Sequence, residues 1–164
     1  MIWCVEDDAS IREIELYALS STGFEARGFE DGASFWAALQ SEKPELVLLD
    51  VMLPGEDGVS LLKRMKASPD FREIPVIMAT AKGAEYDKIQ SLDLGADDYL
   101  VKPFGVMEMV SRVKAVLRRC QPKAPEHILT AGGLSVDLDQ RTVTADGRRI
   151  QLTYKEFELL RLFL

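Results

Sequence analysis

An uncharged apolar run, Leu46-Val47-Leu48-Leu49, ends at Asp50 and is soon followed by the turn residues Pro54 and Gly55. A continuous Leu/Val run is typical of a central strand in a parallel sheet, because helices cover both faces of that strand. Asp50 is therefore predicted where the strand leaves the core. Since ligands gather at the carboxyl ends of strands in open parallel sheets, Asp50 is a candidate functional residue; the alternative is an acid that merely starts the loop.

The first 120 residues alternate between strand and helix patterns five times. Strands are predicted at 2–5, 24–29, 45–50, 74–79 and 99–101, and the intervening helices at about 10–20, 32–39, 57–65, 84–92 and 106–119. This alternation predicts an α/β fold, a doubly wound domain with a five-stranded parallel sheet and right-handed crossovers. In the first helix, we expect Ser10-Ile11-Arg12-Glu13 to form a capping box and Ile11, Ile14 and Ala18 to face the core.

Polar side chains stand at four of the predicted strand ends. Glu6 and Asp7 follow the first strand, Asp50 the third, Thr80 the fourth and Lys102 the fifth. Carboxylates packed together need a counter-charge, and oxygen ligands favour Mg²⁺. A metal, an ammonium and a hydroxyl around one carboxylate would support phosphoryl transfer to it. Each residue alone has an ordinary interpretation as a helix-start acid, a strand-end hydroxyl or a solvated charge, but their convergence on one edge favours a site.

Composition limits the function further. The chain has 164 residues and a formal charge of −7, and the acidic excess lies in the first 120 residues. That part is therefore not expected to bind nucleic acid by itself, because phosphate contacts need clustered Lys and Arg. Because no apolar run is long enough to span a membrane and no basic leader precedes Ile2, we expect a soluble cytoplasmic protein. Cys4 and Cys120 have neither metal-ligand nor disulfide spacing and are expected to be reduced.

Over residues 1 to about 120 the chain resembles the receiver domain of two-component response regulators. The motifs that carry the resemblance are Glu6-Asp7, Leu48-Leu49-Asp50-Val51-Met52-Leu53-Pro54-Gly55, Met78-Ala79-Thr80-Ala81 and Lys102-Pro103-Phe104. The resemblance implies a flavodoxin-like strand order, 2-1-3-4-5. It also implies a regulator rather than an enzyme, one that accepts a phosphoryl group from a sensor histidine kinase with Mg²⁺ and loses it slowly by its own hydrolysis.

The resemblance assigns a role to each residue of the site. Asp50 would be the phosphoacceptor, and Lys102 the cation that binds the phosphate. Mg²⁺ would bind to Asp7, Asp50 and the backbone carbonyl of Met52, with Glu6 assisting through water. Thr80 and Tyr99 would form the switch pair, and a cis peptide bond would precede Pro103.

A linker is predicted at residues 121–127, and the pattern changes to a period of two from residue 128. Strands around 134–138, 141–144 and 149–152, with a hairpin turn at Asp146-Gly147, predict a small antiparallel sheet. Thr153-Tyr154-Lys155-Glu156 would then cap a helix bearing Phe157, Leu160 and Phe163 on one side. Residues 128–164 resemble the opening of the OmpR-type winged-helix DNA-binding domain. The recognition helix and wing of that family come later, so we expect an incomplete domain, from a fragment or a naturally truncated chain.

The resemblance also predicts a homodimer on activation. Its face would combine the helix at 84–92, the fifth strand and the last helix, using the charged residues Lys88, Asp97, Asp98, Glu108, Arg112 and Arg119. An ordinary solvated surface is the alternative. Phosphate drawing Thr80 inward would let Tyr99 turn toward the core and so link modification to this face.

Three classes of function remain open from the sequence. The first is a phosphorylation-activated transcriptional regulator, which binds DNA if the winged-helix domain is completed. The second is a receiver that acts only as a protein-interaction switch. The third, an enzyme on the same scaffold, is disfavoured: an aspartyl phosphatase would need an acid at Met52, and Glu6-Asp7-Asp8 would repel the phosphate of a flavin.

Overall fold

The apolar runs of the first unit form one parallel sheet in the computed structural model, which describes residues 1–81, 94–120, 128–137 and 142–163. The sheet order is β2-β1-β3-β4-β5, and every neighbouring pair is parallel. The elements are β1 (Ile2–Val5), α1 (Ala9–Ser21), β2 (Ala26–Phe29), α2 (Gly32–Leu39), β3 (Leu46–Asp50), α3 (Gly58–Ala67), β4 (Val76–Ala81), β5 (Asp98–Lys102) and α4 (Val106–Cys120). The predicted fold class and strand order are confirmed. The helix predicted at 84–92 and the linker at 121–127 lie outside the described residues.

The central strands are buried on both faces, which explains their unbroken apolar sequence. In β1, Trp3 and Val5 pack into one hydrophobic cluster and Ile2 and Cys4 into the opposite one. Because alternate side chains of a strand point to opposite faces, each layer of helices covers its own half of the same run. β3 shows the same pattern, and all five of its residues are buried.

The last two strands of the sheet differ slightly from their predicted bounds. β4 begins at Val76 and continues to Ala81, so Thr80 lies within the strand and not beyond its end. β5 likewise includes Lys102, whose Cα is the register partner of Ala81. The backbone ladder therefore extends past the apolar residues, because backbone hydrogen bonding does not depend on apolar side chains.

The first helix begins differently from its prediction. Asp8 is the N-cap of α1, and its carboxylate accepts hydrogen bonds from the N–H groups of Ser10 and Ile11 at 2.9 and 3.1 Å. The predicted capping box at Ser10 is therefore wrong, because Asp8 offers an acceptor earlier in the chain. Of the three residues predicted to share the apolar face, Ile14 is wrong, since it is 55% exposed, whereas Ala18 packs against the second hydrophobic cluster; the buried positions of the helix are Glu15 and Leu19.

The second compact unit, Gln121–Leu164, contains an antiparallel sheet and a helix. The sheet order is β6-β7-β8-β9, with strands Ile128–Ala131, Leu134–Asp137, Thr142–Ala145 and Arg148–Ile150, followed by α5 (Tyr154–Phe163). The Asp146-Gly147 hairpin is confirmed, since both residues have positive φ, 48° and 77°. The capping box is also confirmed: the N–H of Thr153 donates to Oε2 of Glu156 at 2.8 Å, and the N–H of Glu156 donates to Oγ1 of Thr153 at 3.4 Å.

The helix of the second unit packs on its sheet through part of the predicted face. Phe157 is buried with Val136 and Val143, and Leu160 packs against this small cluster. Phe163, predicted on the same side of the helix, is 81% exposed, so the packed part of that side ends before it. The predicted strand ends at Leu138 and Arg141 lie outside the described residues.

Candidate functional site

Three charged groups meet at the carboxyl edge of the first sheet. Glu6 follows β1 and is 2% exposed, and Asp50 ends β3 and is 4% exposed. Lys102, at the end of β5, donates from Nζ to Oε2 of Glu6 at 2.5 Å and to Oδ2 of Asp50 at 2.9 Å. The ammonium therefore compensates two buried carboxylates at once, as buried charges require.

The carboxylate of Asp50 is fixed from both sides. Its Oδ2 accepts from Lys102, and its Oδ1 accepts from the N–H of Met52 at 3.0 Å. The backbone behind it is equally constrained, because Gly58 donates its N–H to the carbonyl of Val51 at 2.9 Å. A Cβ at Gly58 would lie 2.0 Å from the carbonyl oxygen of Asp50, so only glycine allows α3 to start this close to β3.

Asp7 completes an acidic cluster on the solvent side. Ligand oxygens of Glu6, Asp7 and Asp50 all lie within 4.8 Å of one another, and Asp7 is exposed. Arg12 holds the loop in place by donating from Nη1 to the backbone carbonyl of Glu6 at 2.6 Å. Three carboxylates at this spacing, one of them open to solvent, fit the oxygen ligands and retained waters of Mg²⁺.

The protonation of the cluster reflects burial and pairing. Burial raises the pKa of Glu6, partly offset by the hydrogen bond from Lys102, and the nearby charge of Asp50 raises it further. Burial lowers the pKa of Lys102, but its hydrogen bonds to Glu6 and Asp50 outweigh this effect and leave its pKa raised. Lys102 therefore remains a cation at neutral pH and supplies the positive charge of the site.

The two residues predicted to act as a switch lie on neighbouring strands. Thr80 is fully buried, and its Oγ1 donates to the carbonyl of Ala81 at 3.3 Å. Tyr99 is partly buried and packs against the hydrophobic cluster that contains Trp3. The Cα partner of Tyr99 in the ladder is Met78, and that of Thr80 is Val101. The peptide bond between Lys102 and Pro103 is cis, as the resemblance predicts.

Glu15, which the sequence pattern did not assign to the core, is also buried near this cluster. Glu15 is only 3% exposed, and within the described part of the chain no hydrogen-bond donor contacts its Oε2. Burial raises the pKa of Glu15 to about 8, and the charge of Glu6 adds to this effect while that of Lys102 opposes it. The phase of the α1 pattern could have identified it, because Leu19, one turn later, is also buried.

Most residues of the predicted dimer face are described, and several already have partners within the chain. Nη1 of Arg112 donates to both carboxylate oxygens of Asp98, at 3.0 and 3.2 Å, and its Nε lies 3.5 Å from Glu108. The carboxylate of Asp97 accepts from the N–H of Val76 at 2.8 Å. Arg119 donates from Nη2 to the backbone carbonyl of Asp97 at 3.1 Å. Lys88 lies outside the described residues.

Comparison with known proteins identifies the family of this chain. The family profile of the response regulator receiver domain matches residues 2–114. The chain therefore belongs to the response regulators, as its motifs predict. Its fold matches the receiver domain of a signal transduction histidine kinase from Syntrophus aciditrophicus, with a TM-score of 0.68 and 34% identity over 80% of this chain and 98% of that one.

Relatives that match nearly the whole chain place it among the response regulators of the PhoB/OmpR type. The phosphate regulon transcriptional regulatory protein PhoB of Pseudomonas aeruginosa is 44% identical over 163 residues, which cover 99% of this chain and 71% of that protein. The DNA-binding dual master transcriptional regulator RpaA of Synechocystis is 40% identical, over 99% and 69%. DrrB of Thermotoga maritima, an OmpR/PhoB homolog, matches with a TM-score of 0.63 and 33% identity, over 99% and 70%. Membership of this class implies two-component signalling and regulation of transcription.

Across the described ranges, no helix is both long and apolar enough to cross a bilayer.

Proposed function

We propose that this protein is a phosphorylation-activated response regulator whose acceptor is Asp50. The observation that carries the proposal is the contact of Lys102 with both Glu6 and Asp50, which brings one cation and two carboxylates together at the end of the central strand. Asp50 is held at both oxygens and keeps an open acidic neighbour in Asp7. A carboxylate held in this way would be oriented for reaction, which favours the phosphoacceptor over an acid that merely starts the loop.

Phosphoryl transfer from a kinase phosphohistidine needs a nucleophile and stabilisation of charge. An oxygen of Asp50 would form the new P–O bond while the P–N bond to the histidine ring breaks and the ring nitrogen keeps the electron pair and takes up a proton. Lys102 would move from Asp50 to a phosphoryl oxygen, and the hydroxyl of Thr80 would turn from Ala81 toward another. This turn would free space for Tyr99.

The acidic cluster would bind Mg²⁺ through Asp7, Asp50 and the carbonyl of Met52, with Glu6 assisting through water. When bound, the cation supplies charge neutralisation for the incoming phosphoryl oxygens. The residues of the chain supply the geometry: Asp7 is exposed to receive the ion, and Glu6 is fixed by Lys102 and by the N–H of Asp8, which donates to its Oε1 at 3.2 Å.

The test is phosphorylation by acetyl phosphate in Mg²⁺, followed by intact-protein mass spectrometry. The protein should gain one phosphoryl group, and Asp50→Asn should gain none. Asp70→Asn, which changes an exposed aspartate in a turn, is the matched control and should be labelled like the unmodified protein. Equal labelling of Asp50→Asn and the unmodified protein would disprove the assignment.

The proposed output is regulation of transcription through DNA, with a sensor histidine kinase as the upstream partner and a cytoplasmic location. Support comes from the second unit, where the sheet β6–β9 and the capped helix α5 follow the opening of a winged-helix domain. The alternative is a receiver that acts only through protein contacts. Selection from random double-stranded DNA, using the phosphorylated product of the natural gene, separates them: an enriched sequence favours the regulator, and an unchanged pool favours the interaction switch.

Activation is proposed to pair two chains through the face that includes β5 and α4. Arg112 and Glu108 are 40% and 49% exposed in their side chains and can reach a second chain, whereas Asp98 is 23% exposed. The carboxylate of Asp97 already accepts a hydrogen bond from Val76, the first residue of β4, and would contribute less to a contact between two chains. Exposed ion pairs contribute little each, so the dimer would be weak and sensitive to salt.

A further inference from the structure

We propose that Met52 is an oxidation site, and that conversion of its thioether to a sulfoxide by hydrogen peroxide shortens the lifetime of a phosphoryl group on Asp50. The proposal rests on the proposed function, because it needs Asp50 to be the acceptor. It adds to that function a modification site two residues further along the chain. Oxidation would then oppose activation at the place where phosphorylation produces it.

Exposure separates Met52 from most of the six methionines in the chain. Met52 is 58% exposed, and the only other methionine with comparable exposure is Met107, at 69%. Three methionines are fully buried: Met65, Met78 and Met109. Met1 is partly buried, and its sulfur accepts a hydrogen bond from the indole N–H of Trp3 at 3.3 Å. Since a dissolved oxidant meets exposed thioethers first, Met52 and Met107 are the methionines open to peroxide.

The backbone holds Met52 at the edge of the phosphorylation site. Its N–H donates to Oδ1 of Asp50 at 3.0 Å. The residues on either side, Val51 and Leu53, are 5% and 8% exposed and belong to the same hydrophobic cluster. Two buried neighbours and a hydrogen bond to the acceptor therefore fix the backbone of Met52 beside Asp50, while Met52 itself stays open to solvent.

The oxidation step is a transfer of one oxygen atom to sulfur. A lone pair of the sulfur forms the new S–O bond as the O–O bond of the peroxide breaks. The second oxygen leaves as hydroxide and takes up the remaining proton to form water, so sulfur is oxidised by two electrons and the peroxide is reduced. The product is a polar side chain in place of an apolar one. The N–H and carbonyl of Met52 are unchanged.

The sulfoxide would change the interaction of water with the site. Hydrolysis of a phosphorylated aspartate needs a water molecule close to the phosphorus atom. The exposed thioether of Met52 is at most a weak acceptor for such a water, whereas a sulfoxide oxygen accepts a strong hydrogen bond. One additional hydrogen bond to the attacking water would speed hydrolysis by about two- to tenfold.

The experiment compares each full-length protein with itself before and after treatment with hydrogen peroxide. All proteins carry Cys120→Ser, because Cys120 is an exposed thiol that peroxide also oxidises. Peptide mass spectrometry should find one added oxygen on Met52 and on Met107, and none on the three buried methionines. This measurement does not depend on phosphorylation.

The lifetime is then measured by intact-protein mass spectrometry after phosphorylation with acetyl phosphate and Mg²⁺ and removal of the donor. Peroxide should shorten the lifetime by about two- to tenfold in the Cys120→Ser protein. Adding Met52→Leu, which keeps an apolar side chain of similar size but has no sulfur, should abolish the response to peroxide. Met107→Leu is the matched control, because it removes the other exposed thioether, and should leave the response intact.

A shortening that is lost in Met52→Leu and kept in Met107→Leu supports the proposal. It is overturned if Met52 stays unoxidised while Met107 is oxidised, if the lifetime after peroxide is equal or longer, if the oxidised protein takes up no phosphoryl group, or if Met52→Leu shows the same shortening. Failure of the proposed function gives a different result: the protein would take up no phosphoryl group on Asp50 even before peroxide, which also ends this proposal.

Discussion

Replacing Glu15 by Gln should stabilise the protein, and the gain should grow with pH. Burial raises the pKa of Glu15 from its ordinary 4.5 to about 8. Below pH 4.5 the carboxyl group is neutral in both the folded and the unfolded protein, so its ionisation costs nothing. As pH rises, the unfolded chain ionises first, and folding must take up a proton; stability is therefore lost from pH 4.5 upward until the folded group ionises near pH 8.

The size of the effect follows from about 1.4 kcal/mol for each pH unit within that window. At pH 7 the native Glu15 should cost about 3 kcal/mol of unfolding free energy, and above pH 8 the cost should level off at about 5 kcal/mol. Gln does not ionise, so the unfolding free energy of the variant should not fall with pH for this reason. Its advantage should be small at pH 5 and several-fold larger at pH 8.5.

Urea unfolding of the full chain, followed by tryptophan fluorescence, measures the effect because Trp3 is fully buried in the unit that contains Glu15. Glu13→Gln, on the exposed side of α1, is the control and should differ little from the unmodified protein at every pH. The reasoning is refuted if the stability difference between Glu15→Gln and the unmodified protein is the same at pH 5 and at pH 8.5.

Three further changes test the site and the proposed dimer. Gly58→Ala should lower the unfolding free energy by about 1–3 kcal/mol, since its Cβ would lie 2.0 Å from the carbonyl oxygen of Asp50; unchanged urea midpoints would count against this packing. Asp7→Asn should weaken Mg²⁺ binding in calorimetry, whereas Asp8→Asn, which alters the cap of α1, should not; equal affinities in the two variants would contradict the metal assignment. Arg112→Glu should weaken dimer formation after beryllofluoride treatment in sedimentation velocity, and a mutant that dimerises as well as the unmodified protein would exclude this face.

The strand ends were predictable because they depend on a pattern that burial imposes on the sequence. A strand covered on both faces must be apolar throughout, so the first polar residue, Asp50, marks the edge of the core. Parallel pairing then brings the ends of β1, β3 and β5 to one edge, and Lys102 meets Asp50 although 52 residues separate them.

The environment of α1 could not be predicted in the same way. A helix pattern is interpreted by assigning apolar residues to the core, and Ile14 was assigned there instead of Glu15. Acids are seldom fully buried, so a charged residue in phase with Leu19 was not assigned to the core. The capping box was placed at Ser10 for a related reason: Asp8 and Ser10 are both good cap residues, and only the backbone conformation decides between them.

The ion pair between Arg112 and Asp98 has a consequence for any symmetric assembly on this face. Nη1 of the guanidinium is already paired with Asp98 inside one chain, at 3.0 and 3.2 Å. A contact from Nη1 of Arg112 to a second chain would therefore exchange one partner for another and add no ion pair to the total. Because an exposed pair is worth less than about 1 kcal/mol, the exchange is close to neutral in free energy. Such charges would set the alignment of two copies, while the strength of their association would have to come from apolar contact.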